Sequence, residues 1–465
     1  MSSKSLLARL ELRPGEARAL GLSCVFHFAV LASYYVLRPI RDEIGAAGGL
    51  ENLSWMFTAT LAGMLLANAL FSASVQHMSR RRFIPLAYRF FIATLLAFYL
   101  LMQSGSAALQ LWVGRAFYVW VSVFNLFVVT VFWSFMTDVF DTGQGKRLFG
   151  LIGVGGTLGG LTGAALTASL VQTLGTHNLL LISAALLEIA VWCVLAYRDS
   201  SSCQRKPSAF DKTLDPGLRR GDGSIRGDEV VGGTLWAGIV HTLRSPYLLG
   251  ISAFMLLHSV TSTLVYFQQA DIAGHAFSDR GARTAFFAQL DMAVNVLTVL
   301  IQLFLTGRLL RWLGVGLTMA LLPLVSLTGF VAMASAPSLA LLAAFQVLRR
   351  AANYAVSRPA REVLFTVMTR EDKYKSKSFT DTFVYRAGDQ VGAWSYPALR
   401  WLGLGLAGVS WVAVPLAGAW VALSVWLGRR QAQMAGLAST SPAESPPTCP
   451  GAGGRSPLPI SWPGA

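Results

Sequence analysis

The chain has 465 residues, 54% of them hydrophobic and only 13% charged, with a formal net charge of +15. A soluble chain carries roughly 25% charged residues, so a deficit sustained over hundreds of positions argues against a soluble protein and for lipid-facing surface. The basic residues fall mostly in short turns between apolar segments, with no zinc-finger spacing or aromatic-basic interleaving, a pattern that fits membrane topology and not a nucleic-acid partner.

The N-terminal stretch "MSSKSLLARLELRPGEARAL" is polar and basic. It has no apolar core and no small-residue cleavage site, so it reads as the lead-in to a retained membrane helix and not as a signal peptide. A spanning helix needs about 20 mainly apolar residues. That window predicts six helices near 20–40, 51–75, 83–104, 107–138, 148–174 and 177–197. A polar interval follows, then six more near 246–272, 281–306, 314–334, 338–369, 378–404 and 408–428. The predicted architecture is an all-α, twelve-helix membrane protein in four parts. Residues 1–198 form an N-terminal six-helix bundle and 199–243 a Gly-, Ser- and charge-rich cytoplasmic linker. Residues 244–430 form a second six-helix bundle, and 431–465 a Pro- and Ser-rich disordered tail.

Alternate loops carry Arg80–Arg82, Lys146 with Arg147, Arg308 with Arg311, and Arg370, Lys373, Lys375 and Lys377. The intervening loops are bare of basic residues except for Arg280 and Arg283. By the positive-inside rule both termini and the linker face the cytoplasm of a bacterial inner membrane. The halves resemble each other weakly at an offset near 231, for example "HFAVLASYY" from His27 against "HSVTSTLVY" from His258. A parallel repeat of six plus six helices is the layout of the major facilitator fold, in which the first, fourth, seventh and tenth helices line a central cavity.

Charges inside spanning helices cost roughly 2.5–3.5 kcal/mol each on insertion scales, so they persist beside water, a counter-charge or a ligand. The basic residues inside the predicted helices are Arg38, Arg41, Arg89, Arg115, Arg349, Arg350, Arg358, Arg361, Arg386 and Arg400, seven of them on the first, fourth and tenth. The first helix closes with "LRPIRDEIG", where two readings stand. Arg38 lies 20 residues after Arg18, about 30 Å of helical rise. Arg38 and Arg41 are therefore either interfacial caps or groups that face a cavity beside Asp42 and Glu43. Arg115 falls roughly 12 Å inside the outer surface by the same rise, too deep for easy snorkelling. Arg358 shares a face with Arg361 and Glu362, and Arg386 shares one with Asp389. Each set reads as a structural ion pair or as part of a relay. His27 and His258 read first as helix–helix hydrogen-bonding groups. The run "GLIGVGGTLGGLTGAA" lacks the Lys-Ser/Thr ending of a phosphate loop, and its small residues suit close helix packing.

Three stretches resemble one family, the bacterial major-facilitator proteins related to the ATP/ADP translocases. They are "LRPIRD" from Leu37, "FWSFMTDVFDTGQGKRLFGLIGVGG" around Phe132 and Trp133, and "REVLFTVMTREDKYKSKSFTDTFVYRAGD" from Arg361. The exchangers of that family carry an acidic residue where Val121 stands and a basic one where Asp389 stands. ATP/ADP antiport therefore does not carry over directly. The combined expectation is a secondary transporter, not an enzyme, that moves an anionic solute such as a nucleotide or organic phosphate by alternating access. Arg38, Arg41, Asp42, Arg115, Arg358, Arg361 and Arg386 would bind the solute; Glu362, Asp389, Lys146 and Arg147 would couple or gate. No metal or other cofactor is expected, and the protein is read as monomeric. The rival reading is a transport-inactive sensor or scaffold whose cavity charges pair with one another.

Overall fold

A computed structural model describes residues 16–77, 80–103, 106–140, 142–202, 245–365 and 379–440, together with Met368. The central stretch and the tail after 440 lie outside these residues, as do Lys373, Lys375 and Lys377. Among the described residues the chain is helical throughout and has no strand.

The first half consists of α1 (Glu16–Ala47), α2 (Leu50–His77), α3 (Arg80–Met102), α4 (Ala107–Val139), α5 (Thr142–Leu174) and α6 (Asn178–Ser202). The second begins with α7 (Pro246–Ala276), α8 (Arg280–Phe304) and α9 (Thr306–Ser335). Then α10 (Leu339–Ala352) runs through a π-helical turn, Asn353–Ser357, into α11 (Arg358–Leu364). A second π turn, Phe379–Val384, leads into α12 (Tyr385–Trp401), and α13 (Leu406–Thr440) closes the bundle. Nine of these helices are long and apolar enough to cross a membrane. Taken singly, α10, α11 and α12, with 14, 7 and 17 residues, are too short to be counted with them. The helices run longer than their apolar cores: α1 continues a turn past residue 40, and α13 reaches well into the stretch read as a tail. In α9 the chain turns at Gly314, whose φ of +70° lies in the left-handed region that glycine occupies without penalty. The apolar helix predicted to start at 314 begins there.

Large apolar side chains cover the outside, among them Trp112, Trp192, Trp312 and Trp401. An exposed apolar surface of this extent suits lipid and not water. The bundle is therefore that of a multi-pass membrane protein. Inside the first half, α1 packs on α5 and α6. Glycines set the first of these approaches. A Cβ at Gly155 would sit 2.5 Å from the Cys24 carbonyl oxygen, and one at Gly163 would strike Ala32. The glycine-rich run is thus a packing surface, as its spacing predicts. His27 reinforces it, its Nδ1 lying 2.9 Å from the Ile152 carbonyl oxygen.

The halves meet where α8 packs on α5 and α1, and where α12 packs on α2. Toward the α1–α2 turn, one apolar cluster joins Ala46, Leu53, Met56 and Tyr118 of the first half to Leu264, Phe267 and Tyr396 of the second. Polar clasps surround it. Ser54 donates to the Ala393 carbonyl at 2.6 Å, and Thr58 donates to Gln390 at 3.0 Å. The halves are therefore tied together at that end.

Candidate functional site

The charged end of α1 lies inside the protein. Asp42 is 4% exposed and Glu43 2%, because α7 and α8 cover them. Arg41 lies next to its own counter-charge. Its Nη2 and Nε donate to Asp42 Oδ1 at 2.9 and 3.1 Å, Nη1 reaches Ser122 Oγ at 3.3 Å, and its guanidinium stacks 5.1 Å from the Tyr118 ring. The same Asp42 oxygen accepts the Tyr266 hydroxyl at 3.0 Å. This ties α1 and α4 to α7 through one carboxylate.

Asp291, a residue that counting basic side chains does not find, holds the centre of the molecule. It stands on α8 with a side chain 1% exposed. Its Oδ1 lies 2.6 Å from Nη2 of Arg350 on α10 and 3.5 Å from Nη1 of Arg38 on α1. Two guanidinium groups, one from each half, thus converge on one carboxylate oxygen. Oδ2 of Asp291, Asn295 Nδ2 and Thr298 Oγ1 have no hydrogen-bond partner among the described residues. These three side chains stand at i, i+4 and i+7 and make a buried polar stripe along α8. Tyr35 borders it, with Arg38 5.7 Å from its ring. The signal in the sequence was a lone acidic residue in the middle of an apolar helix, which an intramembrane charge always makes worth asking about.

The other expected site residues are scattered. Arg115 donates to Asn52 Oδ1 at 2.7 Å and stacks on Trp112 at 4.8 Å, near the α3–α4 turn. Arg358 is exposed and stacks on Tyr354 at 4.8 Å. Arg361 pairs with Asp381 at 3.4 Å and touches the Met255 sulfur. Arg386 pairs with Asp389 at 3.1 Å, and that carboxylate also accepts Ser259 Oγ at 2.6 Å and Thr263 Oγ1 at 3.3 Å. Glu362 is exposed. The side chains of Lys146 and Arg147 lie outside the described ones.

Glu43 accounts for the exception in the loop charges. Arg280 and Arg283 open α8 behind the Asp279 N-cap, and both reach Glu43, at 3.1 and 3.5 Å. They serve as a clasp between the halves. Among the described residues no group of three or more His, Cys, Asp or Glu side chains is placed to hold a metal ion.

The family model of the Major Facilitator Superfamily matches residues 20–367, and the chain belongs to that superfamily of membrane transporters. It is 22% identical over 324 residues to ADP,ATP carrier protein 1 of Chlamydia muridarum (strain MoPn / Nigg), a match covering 62% of this chain. The chain spans 58% of the length of that relative. Among solved structures, a POT family transporter in complex with a thioalcohol-conjugated peptide superimposes with a TM-score of 0.59 at 10% identity, over 90% of this chain and 96% of that one. The nucleoside transporter NupG does so with a TM-score of 0.52 at 14% identity, over 89% and 98%. These two show the fold.

Proposed function

We propose that the chain is a twelve-crossing secondary transporter of the bacterial inner membrane, both termini cytoplasmic, that moves an anionic solute by alternating access. The observation that carries this reading is the convergence of Arg38 and Arg350, one from each half, on Asp291 between them. A planar guanidinium fork suits phosphate and carboxylate through paired hydrogen bonds. Asp291 occupies the place of such an anion, and a solute carrying its own negative charge would take over one or both arginines. Exchanging the resident carboxylate for a substrate group alters the link between α1, α8 and α10, which is what reorientation of two halves around a central site requires.

The likeness to an ADP,ATP carrier makes nucleotides and organic phosphates the first solutes to try. Val121, fully buried in α4, and Asp389, engaged with Arg386, stand where the exchangers carry charges of another kind. A phosphate-bearing solute other than ATP or ADP therefore fits the residues at least as well. A sensor that kept the fold and lost transport would pair all its internal charges. Arg41 and Arg386 are so paired, whereas the buried Arg349 has no carboxylate partner among the described residues.

Uptake into proteoliposomes decides the matter, with labelled ADP, a hexose phosphate and a dicarboxylate offered in turn. At least one should accumulate with the wild type, and Arg38→Ala and Arg350→Ala should each abolish that uptake at normal membrane expression. Unchanged uptake in both variants would remove the central arginines from the mechanism. No uptake of any anion by the wild type would favour the sensor.

A further inference from the structure

Arg349 and Arg350 are neighbours in sequence and point to different surroundings. Arg350 reaches Asp291 on α8, whereas Arg349 turns toward α7. Arg349 is 4% exposed. Its Nη2 donates to Ser262 Oγ at 3.0 Å and, weakly, to Gln346 Oε1 at 3.5 Å, while its Nε is buried with no partner. No carboxylate among the described residues pairs with it. Apart from Arg350 itself, the polar side chains it meets on α7 and α10 are neutral. Gln346 is 2% exposed and bonds Gln269 at 2.5 Å; His258, 6% exposed, lies one helical turn before Ser262 with its Nδ1 unpartnered.

An arginine keeps its proton in a protein. Burying such a cation without a counter-charge costs several kcal/mol even after relaxation. Hydrogen bonds to a hydroxyl and an amide oxygen offset only part of that. The residues around Arg349 supply hydroxyl, amide and imidazole groups instead of an acid; the Ser262 hydroxyl and the His258 imidazole are able to donate hydrogen bonds, while Gln346 Nε2 already donates to Gln269. Donors grouped around a fixed, dry positive charge are the chemistry of an anion site.

We propose that Arg349, with Ser262 and Gln346, forms a second anion subsite within the C-terminal half, distinct from the Asp291 centre. Its ligand is a small compact anion: a resident inorganic ion, or the far phosphate or carboxylate of a solute held at Arg38 and Arg350. This inference stands on the uncompensated charge alone, so it survives if the chain proves not to transport.

Thermal unfolding of the purified full-length protein tests it, with chloride or inorganic phosphate titrated at constant ionic strength against gluconate. A ligand that binds only the folded state raises stability with the logarithm of its concentration above the dissociation constant. The wild type and Arg38→Ala should both show this rise, and Arg349→Gln should show none. In gluconate alone Arg349→Gln should be no less stable than the wild type, because the substitution deletes a charge that no carboxylate among the described residues balances. Ser262→Ala keeps the cation and should move the rise to a several-fold higher concentration. Stabilisation by chloride marks a resident ion, and stabilisation by phosphate alone marks a group of the solute; either upholds the subsite. A flat wild-type titration, a rise that survives in Arg349→Gln, or one lost in Arg38→Ala would each overturn it.

Discussion

The end of α1 and the end of α10 carry the same kind of residue and solve the same electrostatic problem differently. On α1 each arginine has an acid within reach on its own helix: Asp42 is adjacent to Arg41 and lies 3.8 Å from Arg38 one turn before it. On α10 neither arginine has one. Arg350 relies on Asp291 of α8, and Arg349 on neutral groups of α7 and α10. The first arrangement keeps a counter-charge on its own helix however the halves move, although one carboxylate there serves two guanidinium groups and Arg38 also reaches Asp291. The second depends on what its neighbours, or a ligand, present to it. A π turn directly follows the α10 arginines, and such turns recur at functional sites because they re-aim the side chains that follow. The charge balance at the end of α10 therefore depends on other helices, whereas the end of α1 carries a counter-charge of its own.

The sharpest way to break this comparison is Asp291→Asn. The change leaves Arg350 with no carboxylate partner among the described residues and Arg38 with only Asp42, 3.8 Å away, and removing one partner of a buried pair costs about 3–5 kcal/mol. A clear drop in melting temperature is expected, with loss of uptake. Asp42→Asn should cost less, because Arg41 keeps its bond to Ser122 and its stack on Tyr118. Equal losses in the two variants, measured by thermal unfolding in the same detergent, would mean that α1 is no more self-sufficient than α10.

A second, smaller effect concerns the clasp that joins α1 to α8. Glu43→Gln removes one charge from a contact with Arg280, which is 43% exposed, and Arg283, which is 11% exposed. Stability should fall less than in Asp291→Asn, since Arg280 is half-exposed and can turn to water, although Glu43 and Arg283 are themselves buried. The larger response should be conformational. A cysteine placed at Ser54, buried against Ala393 in the clasped end, should react faster with a small water-soluble thiol reagent in the Glu43→Gln background. An unchanged labelling rate would show that the apolar cluster alone holds this end shut.

Much of this was legible in the sequence, for reasons that differ by residue. Apolar length marked the helices, and glycines every three or four residues marked α5 as a close-packing helix, though not α1 as its partner. The charge on "LRPIRDEIG" was visible, but its surroundings were not: whether Arg41 meets headgroups or Asp42 and Tyr118 depends on α4 and α7 closing over it. Asp291 stands out in no count of basic residues, although an acid in the middle of 281–306 is an equally costly group. The π turns have no sequence signature of their own here. Arg280 and Arg283 looked like an irregularity in topology, and only Glu43, far away in sequence, gives them a reason.

The smallest effect tests the geometry of the self-contained pair. Arg41→Lys keeps the positive charge beside Asp42, so a pair that serves only to balance charge should hardly notice. Lysine, however, offers a point charge on a flexible stem. It cannot donate from two nitrogens to Asp42 Oδ1 while a third reaches Ser122, and it loses the planar stack on Tyr118. Asp42 would then swing toward Tyr266, its other partner, and α1 would lose its registration against α4. Expression and melting temperature should stay near wild type while uptake falls several-fold, with Arg41→Ala abolishing it and Leu31→Ala on the same helix changing it little. Wild-type uptake in Arg41→Lys would reduce the pair to charge balance. Arg38 and Arg350 would then be the only guanidinium forks whose shape the solute has to match.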